Sequence, residues 1–211
     1  MKKIRFIYFL FFILISTSAS IYASEISFNG GYTKISMREG LESITLENPA
    51  NVIVDDLSIS ATKISLLGKD YDLLQCDGKV VIKDEKKGLT ILASSLFYNR
   101  ITNIISIVGG VEIDDTNNEL HSTSQSLEYD IDKEKMTLSV EINLLHIADD
   151  KIMKCTSDNL IFDRIENTLV LLGNSKILWK DDEYKAQAIS VNMDNNEISL
   201  EGSIEGTIKN T

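Results

Sequence analysis

Residues 93–109 read ASSLFYNRITNIISIVG, and residues 124–140 read SQSLEYDIDKEKMTLSV. They share little identity. Yet each starts on a small residue, has Leu at its fourth position and Tyr at its sixth, then crosses a polar turn into an alternating apolar strand. With the small residue as anchor, the pattern recurs at Ala61, Ala93, Ser124, Ser157 and Ala188, spaced by 32, 31, 33 and 31 residues. Three residues after each anchor stand Ile64, Leu96, Leu127, Leu160 and Val191. Five residues after stand Leu66, Tyr98, Tyr129, Phe162 and Met193, and all of these positions are apolar. The following strand closes on Gly78, Gly109, Val140, Gly173 and Gly202, so only the third unit lacks its glycine. Self-similarity at a fixed spacing marks repeated supersecondary units. The chain holds about five degenerate copies of a unit of roughly 31 residues.

Within the unit, apolar residues alternate. Leu89, Ile91 and Ala93 share one parity and Leu96 and Tyr98 the other, which predicts a bulge or bend inside a long strand. The return strand alternates through Ile105, Ile107 and Gly109. No stretch after residue 24 carries a helical period, so the expected class is all-β. Each unit reads as a strand, a turn, a strand and a short third strand such as VVI (80–82) or VEI (111–113). The polar reversal in every unit looks like an antiparallel hairpin turn and argues against a parallel β-helix. Acidic pairs recur at Asp55–Asp56, Asp84–Glu85, Asp114–Asp115, Asp149–Asp150 and Asp181–Asp182. They lack the Gly-rich form of calcium-binding β-rolls and read as exposed turns in which Asp accepts local backbone bonds.

The first 23 residues differ from the rest. Lys2, Lys3 and Arg5 precede an unbroken apolar run from Phe6 to Ile15, followed by small residues up to Ala23. That layout is a secretory signal peptide (1–23), with cleavage expected between Ala23 and Ser24. Retention of the segment as a membrane anchor is the alternative. Removing it lowers the basic count from 21 to 18 against 32 acids, moving the net charge from −11 to −14. Such a chain repels nucleic acid and anionic membrane surfaces. What remains, 24–211, suits a single domain.

LSISATKISLLGKD (57–70), CDGKVVI (76–82) and LTILASSLFYNRITNIISIVGGVEI (89–113) together resemble the OstA-like family of lipopolysaccharide-transport proteins, also called the organic-solvent-tolerance-like domain. The resemblance covers roughly residues 28–208 and rests on the copies standing in register behind a signal peptide, no single motif being specific. It implies a folded-over antiparallel β-jellyroll, a β-taco, whose apolar groove holds lipid acyl chains. It also implies a periplasmic, non-enzymatic carrier or bridge for lipopolysaccharide or a related glycolipid. Molecules of that family join head to tail through their terminal strands and pair by edge strands with inner- and outer-membrane components of the same fold. Val140, standing where Gly is usual, and the loosely patterned INLLHIADDKIMKC (142–155) depart from the pattern.

Read from the residues alone, the aligned apolar positions are either a permanently filled sandwich core or the lining of a groove. The resemblance favours the groove, lined by Ile64, Leu66, Leu96, Tyr98, Ile105, Ile107, Leu127, Tyr129, Leu160, Phe162, Val191 and Met193. Small residues on the same face, including Ser122, Cys155 and Ala186 beside the anchors, are expected to leave room there. Cys76 and Cys155 lie units apart on inward parities and are expected to be free, buried thiols. His121 and His146 have no adjacent nucleophile or recurring carboxylate partner, and no catalytic residue, metal or cofactor is expected. The rivals are an inner-membrane-anchored member of the same pathway and a structural or adhesive β-repeat protein with a filled core.

Overall fold

A computed structural model describes residues 25–148 and 151–209. The segment read as a signal peptide, its Ala23–Ser24 junction and the Asp149–Asp150 pair lie outside the described residues. The rest is one antiparallel meander. Twelve strands follow in chain order: β1 (Ile26–Ser36), β2 (Ser43–Val54), β3 (Leu57–Leu67), β4 (Leu73–Asp84), β5 (Leu89–Asn99), β6 (Ile104–Asp115), β7 (Leu120–Asp130), β8 (Lys135–Ala148), β9 (Lys151–Asp163), β10 (Thr168–Trp179), β11 (Asp182–Asn192) and β12 (Glu197–Glu201). A short β13 (Glu205–Thr207) pairs with β11 on the same side as β12. Together β12 and β13 act as one last strand interrupted at Gly202–Ser203.

The third strand expected in each unit does not exist as a separate element. VVI (80–82) and VEI (111–113) are the far halves of β4 and β6, whose near halves begin at Leu73 and Ile104. The glycines that close the apparent second strand are bends within it. From β4 onward each even-numbered strand carries two successive left-handed residues: Gly78–Lys79, Gly109–Gly110, Val140–Glu141 and Gly173–Asn174, and Gly202–Ser203 repeats the device between β12 and β13. Strand pairing slips at the same level, between Asp77 and Val80, Ala93 and Phe97, Val108 and Val111, and Ser139 and Ile142. Each slip is a bulge, and a bulge bends a strand. Stacked across the sheet, the bulges form a crease.

The crease folds the sheet onto itself. Both halves bury the same face. In one half, Leu46, Ile64, Cys76 and Leu96 stand side by side, and the row continues through Leu127, Leu138, Leu160, Leu171 and Ile189. In the other half, Val52, Ile59, Ile82, Ile91 and Ile113 form a matching row, continued by Ser122, Leu144, Cys155 and Ile177. All of these side chains belong to one buried core apart from the hydroxyl of Ser122, which donates to the Asn143 carbonyl at 3.1 Å. Burying each Leu or Ile contributes about 1.5–3 kcal/mol, so the two apolar faces hold the crease shut. The fold is therefore the expected folded-over antiparallel sheet.

Opposite the crease, the turns form two rims. One rim, here the front, carries the four-residue turns 100–103, 131–134, 164–167 and 193–196; the back rim carries 85–88 and 116–119. Their spacing is written in side chains. Asn99, Asp163 and Asn192 each accept from the backbone N–H groups two and three residues on, at 3.0–3.2 Å. Asp84, Asp115 and Asp130 accept from the N–H three residues on. These are Asx turns, which explain recurrent Asp and Asn at the strand ends. Asp84 and Asp115 are nevertheless buried, which corrects the expectation that the acidic pairs are all exposed.

Candidate functional site

The expected lining residues are brought together inside the fold. Ile64, Leu66, Leu96, Tyr98, Ile105 and Ile107 are all buried, as are Leu127, Tyr129, Leu160, Phe162, Val191 and Met193. The register of the fifth unit differs from the one read in the sequence. Leu160 and Phe162 align through Leu171 and Leu169 with Ile189 and Val191, so the anchor of that unit is Ala186 rather than Ala188. Met193 stands one position further out, in the front-rim turn, at the place occupied by Arg100, Ile131 and Arg164 in earlier units. The N–H of each of these four donates to the turn of the preceding unit.

Ala61, Ala93, Ser124, Ser157 and Ala186 flank the crease. Ala186 lines a depression there of about 660 Å³, and Ser124 and Ser157 line another of about 640 Å³ with Glu141, Asp158 and Asn174. Their hydroxyls are used locally. Ser124 Oγ donates to the Ser126 carbonyl and Ser157 Oγ to the Asn159 carbonyl, both at 2.9 Å, which satisfies acceptors freed by the bulge.

The interior is closed along its length and runs out at the N-terminal end. Ile44 and Val52 on β2 are buried, but their β1 neighbours on the same face, Ile35 and Phe28, are 49% and 40% exposed. At the other end Ile198 and Leu200 of β12, beside Val191 and Ile189, are half-buried. An apolar column that reaches solvent at an edge strand can be continued by another surface.

Across the mouth, one buried cation joins the rims. Arg164, in the front rim, donates from Nε to Asp115 Oδ2 at 2.7 Å and from Nη2 to the Lys87 carbonyl at 2.9 Å, both on the back rim. Its Nη1 donates to Glu134 Oε2 in the neighbouring front turn at 2.8 Å, and Lys87 Nζ reaches Glu134 Oε1 at 3.1 Å. The side chains of Arg164 and Asp115 are 3% and 0% exposed. Below them the Tyr129 hydroxyl is buried with no hydrogen-bond partner among the described residues, and burial pushes its pKa up. Tyr98, the equivalent residue one unit earlier, donates to Asn103 Oδ1 at 2.7 Å; burial first, then Asp55, pushes its pKa up to about 12.

Cys76 and Cys155 are free and buried, as expected, and burial pushes both thiols up to about 12. His146 is buried on the inward face of the back half, between Leu120 and Met153. His121 is on the outer face with Nδ1 at 2.7 Å from Asp114 Oδ1, a carboxylate partner supplied by the facing strand. With Glu112 these form a half-exposed group whose ligand atoms lie within 4.8 Å of one another. Beside it, an outer-face depression of about 510 Å³ is lined by His121, Leu145, Lys154 and Leu178.

No family model matches the chain, and no curated protein matches it. Among solved structures it is similar to LptH from Pseudomonas aeruginosa, described as the LptA-homologous periplasmic component of the conserved lipopolysaccharide transport device. The identity is 9%, the match covers 88% of this chain and 96% of that chain, and the TM-score is 0.34. The architecture rests instead on the strand register described above.

Proposed function

We propose that this protein is a non-enzymatic carrier of acylated glycolipid, lipopolysaccharide or a relative, acting as a bridge in the periplasm. One observation carries the reading: the apolar interior extends from β2 to β12 and reaches solvent on β1, where Phe28 and Ile35 continue buried rows without cover. A sandwich that serves only its own stability has no need of an exposed apolar row on a bare edge strand. Acyl chains between the half-sheets would be shielded at about 0.8 kcal/mol per buried CH₂, with the head group left in water at the mouth. Passage from inner to outer membrane would be passive, driven by an energised partner. Such partners, and further copies of this chain, would add to the bare edges by main-chain pairing.

A second reading has its own support. The interior residues are packed with almost no exposure, as in a structural β-repeat protein with a permanent core. Organic extraction of the exported protein, followed by mass spectrometry, separates the two. The carrier yields an acylated lipid in near-stoichiometric amount. Protein that yields none, and takes up none from lipid A dispersions, is a structural repeat.

A further inference from the structure

We propose that the Arg164 cluster is a gate that ties the rims at mid-trough, so that acyl chains load at the ends of the interior and reach its middle only when the cluster opens. The proposal rests on the carrier reading and adds to it a place where the cargo is held.

The covalent crease cannot open, so the halves can part only along the mouth. Arg164 lies on that line. Its three donor groups each hold a separate acceptor: Asp115 and the Lys87 carbonyl from the back rim, and Glu134 from its own rim. Lys87 Nζ reaches back to Glu134, a third link across the mouth. The acceptors sit 49, 77 and 30 residues from Arg164 in sequence, so that with Arg164 itself four different turns or strand ends meet. Charge-assisted bonds of this kind are short and about twice as strong as neutral ones. Burial removes the competition from water and most screening by salt.

Geometry then sets a constraint. A glycolipid with chains inside and head group outside must thread the mouth at one point along its length. To slide lengthwise, that point must travel along the mouth, and the cluster stands across it. Nothing beneath it is vacant: Tyr129, Ile105 and Ile107 are packed to 0–1% exposure. Loading the middle therefore requires the rims to separate there. The ends differ, because Phe28 and Ile35 on β1 already expose the inward face.

The test places a photoreactive amino acid at Leu66, in the first third of the sheet, or at Ile107, in the middle. Lipid A is added as the probe and adducts are followed in time. In the wild type the adduct at Ile107 lags that at Leu66 by about tenfold or more, the factor set by a barrier of about 1.4 kcal/mol. The double variant Arg164→Met with Asp115→Leu removes both buried charges together and leaves neither unpaired. It abolishes the lag and leaves the Leu66 rate unchanged. Glu134→Gln, which touches only the half-exposed arm, shortens the lag by a smaller factor and serves if the double variant fails to fold. A lag that is missing in the wild type, or that persists unchanged in the folded variants, overturns the gate while the carrier stands. No adduct at either position in any protein overturns the carrier and the gate with it.

Discussion

Val140 is the residue at which the repeat breaks its own rule. Its φ is +66°, the left-handed value that Gly78, Gly109, Gly173 and Gly202 adopt at the same level of the crease. A β-branched side chain is a true outlier there, because Cβ meets the neighbouring carbonyl. Gly78, Gly173 and Gly202 have a further reason to be glycine, a close side chain from the neighbouring strand. A Cβ at Gly173 would lie 2.7 Å from Asp158 Oδ2. Val140 is 55% exposed, so its removal sacrifices little burial. Val140→Gly is expected to stabilise the protein by about 1 kcal/mol, the left-handed strain relieved less the entropy glycine gains on unfolding. Urea denaturation measures it, and a destabilised variant would mean that Val140 is held by packing. His146 gives a second residue-scale expectation. Burial holds its imidazole below the usual 6.5, with Glu119 pulling weakly the other way. The unfolded chain then binds a proton below about pH 6.5 that the folded chain does not, so this contribution to stability is lost as the pH falls through that value. His146→Leu removes it. Between pH 7.5 and pH 5 the urea midpoint of the wild type should fall further than that of the variant; equal falls would place the acid sensitivity elsewhere.

At the scale of elements, the sequence carries the local information and loses the long-range part. The parity switch between Ala93 and Leu96 marks the bulge at its true position, because period-two alternation must break where a strand gains a residue. The same alternation hides register. In the fifth unit Ala186 and Ala188 are both small, and Ile189, Val191 and Met193 are apolar at every second place or its neighbour across the bulge. A slip of two residues keeps every side chain on its face, so pattern alone does not exclude it. The Arg164 cluster leaves no local signal at all, since its partners come from turns brought together only when the crease closes. Its energetics are nonetheless sharp. Arg164→Ala leaves Asp115 buried without its cation and is expected to cost about 3–5 kcal/mol. The paired Arg164→Met and Asp115→Leu change is expected to fall within about 1–2 kcal/mol of the wild type in either direction, because exchanging a whole buried pair for apolar residues is often neutral. Denaturant midpoints for the three proteins check the difference. A double variant as unstable as the single one would show that the cluster, not the uncompensated charge, holds the rims together.

For the whole molecule, the two ends decide whether the interior stops or continues. β1 has one partner, β2, and its free edge carries no proline and only Lys34 as a charge. Phe28, Tyr32 and Ile35 are exposed along it. At the other end β12 and β13 cover β11 with a strand broken at the crease, and β12 too is left without an outer partner. Natural sheets blunt such edges with charges, proline or a covering element. Among the described residues neither edge has a proline or a covering element; β1 has Lys34 alone, and β12 and β13 carry Glu197, Glu201 and Glu205. The two edges differ, so pairing one with the other is heterologous and does not close. It yields chains of variable length in which the inward row of one copy meets that of the next. A net charge of −11 opposes such joining at long range, and salt screens that repulsion without weakening main-chain bonds. Multi-angle light scattering of the full chain should therefore show a mass that rises with concentration, and rises further when salt is added. Phe28→Lys with Ile35→Lys places charges where the apolar row would dock and should give a monomer at every concentration, as should removal of residues 203–211 from the opposite end. A full-length chain that stays monomeric throughout, with the edge variants indistinguishable from it, would mean that both edges are terminal and that the interior serves one molecule at a time.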